Sequence, residues 1–373
     1  MRILFTGGGT GGHVFPILAI KKAFEGAGNP PVDFYYLGPD GFARENFTNQ
    51  GIKTRFITTG KLRRYFSLAT PIDFVKVLIG IIQSFINLFI WVPDVVFSKG
   101  GYGSFPVVFV SWIYRIPIVL HESDSAPGLA NRILAKFADK IILSFSGSEN
   151  YFRKQKEKII LIGNPIREEL TLGDKNQAKE LFKIKSNKPV ILILGGSQGA
   201  QKINEVVLSI LPRLLELSEV IHVTGEKNEK AILGEADKIL KFSENLKQFY
   251  HLGSFLNTGY LMHAYALADL IINRAGASSI FEIAACGKPS ILIPLPNSAS
   301  DHQRKNAHDF ARPGAAVVLE QENLTPNLLM EEISKILGNA VRIQEMAGKA
   351  KQFYKPNIAE KIKDEIIKIV KSK

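Results

Sequence analysis

One cysteine in 373 residues, Cys286, is too few for a disulfide framework or a cysteine-based zinc site, and its apolar run Ile283-Ala284-Ala285 reads as packing. Low-complexity tracts are missing too: 31 Gly and 18 Pro follow no collagen-like period, and 46% hydrophobic with 22% charged residues excludes a disordered or fibrous chain. Met1-Arg2 leads straight into Ile3-Leu4-Phe5-Thr6 without a long apolar leader, so no secretory signal is read and a cytosolic address is expected. Acid is the scarcer charge. Asp and Glu number 35 against 47 Lys and Arg, a net +12, and up to Pro165 the count is 11 against 19, an excess of +8. Such a balance favours phosphorylated substrates, acidic lipid or nucleic acid. No nucleic-acid motif or basic-aromatic interleaving accompanies it, so no nucleic-acid partner is expected.

What is present is alternation. Short β-rich runs at 2–6, 32–37, 95–97, 117–120, 140–143 and 159–162 are separated by helical patterns, the signature of βαβ units and a parallel sheet. Turn chemistry in Gly163-Asn164-Pro165-Ile166-Arg167 then precedes a second series at 189–194, 219–223, 248–252, 270–272, 290–293 and 315–319. The chain therefore reads as α/β in two domains, 1–165 and 166–373, a division its length supports.

Both halves open alike, a strand running into Gly7-Gly8-Gly9-Thr10-Gly11-Gly12-His13 and another into Gly195-Gly196-Ser197-Gln198-Gly199-Ala200. Glycines at a strand-to-helix turn let backbone approach a phosphate, and the helix start supplies N–H donors. Residues 7, 9 and 12 satisfy G-x-G-x-x-G, but no acidic residue ends the second strand, which disfavours a dinucleotide oxidoreductase. Between the 270–272 strand and the next helix lies Asn273-Arg274-Ala275-Gly276-Ala277-Ser278-Ser279-Ile280-Phe281-Glu282. A carboxylate about a turn and a half into that helix can accept both ribose hydroxyls of a nucleotide. Further on, His302, Gln303 and Asn306 offer imidazole and amide groups suited to sugar hydroxyls.

Taken in order, Gly8–Pro16, Gly100-Gly101-Tyr102-Gly103-Ser104, His121-Glu122, Gly163–Arg167, Gly195–Ala200, Arg274–Glu282 and His302-Gln303 with Asn306-Ala307 resemble the MurG-type peptidoglycan glycosyltransferases over nearly the whole chain. The resemblance implies a GT-B fold, two Rossmann-like parallel-sheet domains facing across a cleft, with the last helix a candidate to return to the first domain. It implies inverting transfer of N-acetylglucosamine from UDP-N-acetylglucosamine to an undecaprenyl-diphospho-muramoyl-pentapeptide, lipid I to lipid II, at the cytoplasmic face of the bacterial membrane. In that frame Glu282 holds the ribose, Ser197 and Arg167 the donor diphosphate, backbone near Leu256 the uracil, Ala277, Ser278, Ser279, Ile280 and Phe281 line the nucleotide site, and Gln303 with His302 holds the sugar. Thr10, Gly11 and Gly12 face donor sugar and acceptor diphosphate. His13 is the first candidate for deprotonating the acceptor hydroxyl, since imidazole titrates near working pH, and Glu122 the second. The alternative for His13 is that it orients the glycine loop.

Three departures stand out. Ser123-Asp124 follows His121-Glu122 where the family carries an amide pair, so Asp124 needs sugar hydroxyls or a basic neighbour. Asn257-Thr258-Gly259-Tyr260-Leu261 reads as a lengthened uracil loop, and Lys61-Leu62-Arg63-Arg64 replaces a glycine-rich acceptor loop. No resident cofactor or metal is expected, with Mg²⁺ permitted but not required, because no H-E-x-x-H or Asp-x-Asp occurs. Another glycolipid transferase of the same fold, a UDP-sugar epimerase and a non-catalytic sugar-nucleotide scaffold remain the alternatives.

Residues 77–92 carry no charge, and as a helix they reach only about 24 Å, short of the roughly 30 Å hydrocarbon core. Asp73, Lys76, Gly80, Gln83, Ser84 and Asn87 form one polar stripe, opposite Phe74, Leu78, Ile81, Ile82 and Phe85. With Lys61, Arg63, Arg64 and Trp112 nearby, this reads as an interfacial patch for anionic lipid rather than a span, a buried core helix being the alternative.

Overall fold

The computed structural model describes residues 1–9, 11–26, 31–60, 70–195 and 200–372. The chain divides into two compact units, Met1–Ile166 with Asn357–Lys373, and Arg167–Pro356.

In the first unit β1 (Arg2–Thr6), β2 (Asp33–Gly38), β3 (Lys53–Phe56), β4 (Val95–Ser98), β5 (Ile118–Glu122), β6 (Lys140–Leu143) and β7 (Ile159–Leu161) form a parallel sheet in the order β3-β2-β1-β4-β5-β6-β7. β4 and β5 are buried at every position, as a sheet covered on both faces requires. The order reverses between β1 and β4, which is where ligands settle on open α/β sheets, outside the carboxyl ends of the strands. The strand missing from the sequence reading is β3. Its Lys-Thr-Arg-Phe sequence is too polar to stand out, because it is an edge strand whose Lys53 lies over the Tyr35 ring and whose Arg55 lies over the Trp91 ring.

The helix Ile358–Lys371 completes this unit. Ile358, Ile362, Ile366 and Ile369 are buried at helical spacing against the helix Gly11–Phe24, and Lys363 Nζ donates to the Ala23 carbonyl at 3.3 Å.

The second unit repeats the plan with β8 (Val190–Leu194), β9 (Glu219–Val223), β10 (Tyr250–Gly253), β11 (Leu270–Asn273), β12 (Ser290–Leu292) and β13 (Ala316–Val318), all parallel in the order β10-β9-β8-β11-β12-β13. Its reversal lies between β8 and β11. Ile191, Ile193, Ile272 and Ile291 of the sheet and Ile203, Val207 and Ile333 of covering helices form one core.

The apolar segment is a helix, Thr70–Trp91, of 22 residues. At 1.5 Å per residue it is about 33 Å long, so the charge-free run understates its reach. Its polar stripe faces the protein: Gln83 Oε1 accepts from the Thr58 amide at 2.8 Å, Asn87 Oδ1 from Arg55 at 2.8 Å, and a Cβ on Gly80 would stand 2.3 Å from the Thr58 carbonyl. Asp73 and Ser84 are buried, while Lys76 departs from the stripe and is exposed. Outward point Ile72, Phe74, Leu78, Ile82, Ile86 and Phe89, continued by Trp112 and Ile113. Ile81 and Phe85, placed in the patch from spacing, are only half exposed and pack on the core beside Leu88 and Trp91, at the border of the two faces. Lys61, Arg63 and Arg64 lie outside the described residues.

Candidate active site

In the first unit both turns at the strand reversal carry motif residues. The Gly7–Gly9 turn leaves β1 and enters the helix Gly11–Phe24, whose first amides belong to Gly11, half-buried, and Gly12, exposed. Thr10 lies outside the described residues. His13, one turn in, is half-buried, and its Nδ1 accepts the Gly8 N–H at 2.6 Å. Burial, with Lys99 nearby, pushes its pKa down to about 3, so the ring is neutral. A neutral imidazole whose Nδ1 is an acceptor carries its proton on Nε2 and donates from there.

Beside it, at the end of β4, sits Lys99, 2% exposed and absent from the sequence reading. Its Nζ donates to His121 Nδ1 at 2.7 Å, to Asn164 Oδ1 at 3.1 Å and to Ser123 Oγ. His121 passes the chain on from Nε2 to the Gly163 carbonyl at 3.0 Å, and burial with Lys99 keeps it neutral, well below its ordinary value. Glu122, also 2% exposed, accepts the Asp124 N–H on Oε1 at 2.8 Å and Asn131 Nδ2 on Oε2 at 2.7 Å. Burial first and Asp124 second push its pKa up to about 7, while burial lowers Lys99 to about 7 against the pull of Glu122 and Asp124. The basic neighbour that Asp124 calls for is thus Lys99.

Asn131 closes the group by accepting the Gly101 N–H at 2.8 Å. Gly100 makes that possible: its φ is +78°, and a Cβ there would lie 2.0 Å from Asn131 Oδ1. Gly100→Ala is expected to cost roughly 2–4 kcal/mol in urea unfolding by adding left-handed strain and breaking the Asn131 bridge. Gly128→Ala, with nothing within 4 Å of its Cβ and no positive φ, is the control expected to change little.

In the second unit the turn after β8 contains Ser197 and its flanking Gly196, Gln198 and Gly199, which lie outside the described residues. The turn after β11 leads through Gly276 into the helix Ala277–Ala285. Ser278 and Ser279 are half-buried, but Ala277, Ile280 and Phe281 turn their side chains inward, Phe281 against Phe353. Any part these three take in a nucleotide site falls to their backbone. Glu282 is 7% exposed; its Oε1 accepts from Arg167 NH2 at 2.8 Å and Nε at 3.3 Å, and its Oε2 from Tyr265 at 3.4 Å. Arg167 NH1 also reaches Thr258 Oγ1 at 3.3 Å. The carboxylate expected to hold a ribose and the cation expected to hold a phosphate are thus in direct contact with each other.

Leu256, half-buried, precedes Asn257, whose Oδ1 accepts the Tyr260 amide at 3.0 Å and caps the helix Thr258–Leu267. Residues 257–261, read as a longer loop, are therefore a helix cap and first turn. Gln303 Oε1 accepts the Leu295 N–H at 3.0 Å, and His302 Nδ1 donates to the Ala299 carbonyl at 2.6 Å. Asn306 is not a surface donor: it is fully buried and donates to the Ala275 carbonyl at 3.3 Å, tying the helix His302–Ala311 to the Arg274–Gly276 turn.

Set beside known proteins, residues 3–143 match the glycosyltransferase family 28 N-terminal domain and residues 190–362 the glycosyltransferase family 28 C-terminal domain. A Legionella pneumophila (strain Paris) protein named UDP-N-acetylglucosamine--N-acetylmuramyl-(pentapeptide) pyrophosphoryl-undecaprenol N-acetylglucosamine transferase is 40% identical over 337 residues, 90% of this chain and 88% of that one. A Bacillus anthracis protein of the same name, with the suffix 2, is 39% identical over 91% of this chain and 92% of its own. Among solved structures, Acinetobacter baumannii MurG superimposes with a TM-score of 0.75 at 26% identity, covering 98% of this chain and 99% of that one. A Neisseria meningitidis UDP-GlcNAc 2-epimerase reaches 0.71 at 14% identity over 99% of this chain and 100% of its own, a likeness of fold alone.

Proposed function

This chain belongs to glycosyltransferase family 28, and from that premise we infer that it transfers N-acetylglucosamine from UDP-N-acetylglucosamine to an N-acetylmuramyl-(pentapeptide) pyrophosphoryl-undecaprenol acceptor in peptidoglycan synthesis. The observation that carries the reading is the ion pair between Arg167 and Glu282 of the helix that follows β11, a cation and a carboxylate suited to a nucleoside diphosphate. The acceptor hydroxyl attacks the anomeric carbon opposite the departing UDP. Arg167 and the first amides of the Ala277–Ala285 helix meet the charge on the leaving diphosphate. With the purified protein, the sugar nucleotide and the lipid acceptor, a disaccharide lipid is the expected product; an epimerised sugar nucleotide, or binding without turnover, would defeat the assignment.

For the proton, the geometry supports His13 as the residue that orients the glycine loop, since its Nδ1 is taken by Gly8 and its Nε2 bears hydrogen. Glu122, ionising near pH 7 with a second lone-pair site on each oxygen, is the base this arrangement favours. His13→Gln keeps an acceptor for Gly8 and is expected to retain kcat within about tenfold, whereas Glu122→Ala is expected to lose about 100-fold or more. The opposite ranking would return the base to His13.

We further propose that the outward face of the Thr70–Trp91 helix rests in the cytoplasmic leaflet and keeps the enzyme at its lipid-linked acceptor. That helix is long enough to cross a bilayer, yet Gln83 and Asn87 of its polar stripe are bonded to Thr58 and Arg55, which supports lying on the membrane over spanning it.

A further inference from the structure

We propose that Lys99 is a positioning residue for the transfer reaction, its ammonium fixing the His121–Asp124 exit of β5 and the Gly163–Asn164 turn in one arrangement around Glu122. The inference rests on the transferase reading above. An ammonium has three N–H donors and no acceptor, and Lys99 Nζ has three acceptors on two separate segments: His121 Nδ1, Ser123 Oγ and Asn164 Oδ1. His121 Nε2 donates to the Gly163 carbonyl, so the same ammonium also selects the imidazole tautomer that ties β5 to that turn. A buried cation is tolerated only with compensating negative charge, which Glu122 and Asp124 provide. Ser123-Asp124 thereby gains a purpose: serine leaves an oxygen for the lysine, and aspartate helps balance its charge.

Loss of one proton from Lys99 removes one of the three bonds and the charge that favours an ionised Glu122. The titratable groups facing Lys99 are His13 from the helix after β1, and His121, Glu122 and Asp124 from β5 and its exit. Both imidazoles are neutral through the working range, so the charges in play are those of the lysine and the carboxylates. Because burial lowers the lysine's pKa, the ammonium is lost as pH rises above about 7, and transfer declines in that direction. Removing the ammonium also raises the pKa of Glu122, moving the acidic limb upward.

The test follows kcat/KM for the lipid acceptor between about pH 5.5 and 9.5 in the full-length enzyme, with UDP affinity measured by calorimetry as a control on the second unit. Lys99→Met is expected to lower kcat by about 30-fold or more, abolish the alkaline limb and leave UDP affinity within about twofold. Ethylamine added to Lys99→Ala is expected to restore part of the rate. Ser123→Ala, a mild change for the fold, removes one acceptor and is expected to shift the alkaline limb down by about half a unit to one unit. A role in folding alone would lower stability without moving either limb. Transfer by the wild type with the alkaline limb unchanged in both variants overturns the inference alone; a wild type that binds UDP yet transfers nothing overturns the functional reading and the inference together.

Discussion

Glu282→Gln is expected to weaken UDP binding about 100-fold, close to 2.7 kcal/mol, because an amide offers one acceptor oxygen where the carboxylate offers two and leaves Arg167 without its counter-charge. Each charge-assisted bond lost is worth about 1.5–3 kcal/mol, so loss of one or two brackets that figure. The pair is shielded, with side chains 15% and 9% exposed, so the variant also loses stability: an uncompensated cation at that depth costs up to about 3–5 kcal/mol. Calorimetry well below the variant's own melting temperature separates the two effects. Arg167→Ala probes the other half of the proposal, since it keeps the carboxylate proposed for the ribose and removes the cation proposed for the phosphate. Wild-type UDP affinity in folded Glu282→Gln would remove the nucleotide from this helix.

The second large effect concerns the outward helix face. Ile82 and Phe89 are 61% and 74% exposed, so Ile82→Glu with Phe89→Glu should leave the fold within about 0.5 kcal/mol of the parent. Burying two such side chains in lipid contributes about 1.5–3 kcal/mol each, and two new negative charges are repelled by an anionic surface. Partitioning onto anionic vesicles is therefore expected to fall by about 100-fold or more. Sedimentation with vesicles at low and high salt checks it, and Ile82→Leu with Phe89→Leu should bind like the parent. Full binding by the doubly acidic variant would place the membrane contact elsewhere.

Much of this architecture was legible because parallel strands buried on both faces appear as apolar runs, and because glycines mark the turns where a strand meets a helix. The strand order that puts Gly7 beside Lys99, and Gly195 beside Asn273, was not legible: it depends on crossovers that no local pattern encodes. Lys99 is not legible in the sequence because a single lysine before Gly-Gly looks like a solvated loop charge, and only the convergence of residues 121, 123 and 164 shows its burial. Arg167 and Glu282 each stand out in their own motif, but their 115-residue separation hides the ion pair. The polar stripe on the Thr70–Trp91 helix was visible, while its direction was not. Polar residues normally mark the wet side, and here they bond to Thr58 and Arg55, leaving the apolar side uncovered.

The return of the Ile358–Lys371 helix to the first unit sets an order of assembly on the ribosome. Residues 167–356 are contiguous, whereas the first unit, begun earlier, is completed only by a closing helix that follows all of them in the chain. Until that helix arrives, the Gly11–Phe24 helix lacks the partner that packs on it, and the first unit's apolar surface there stays partly uncovered.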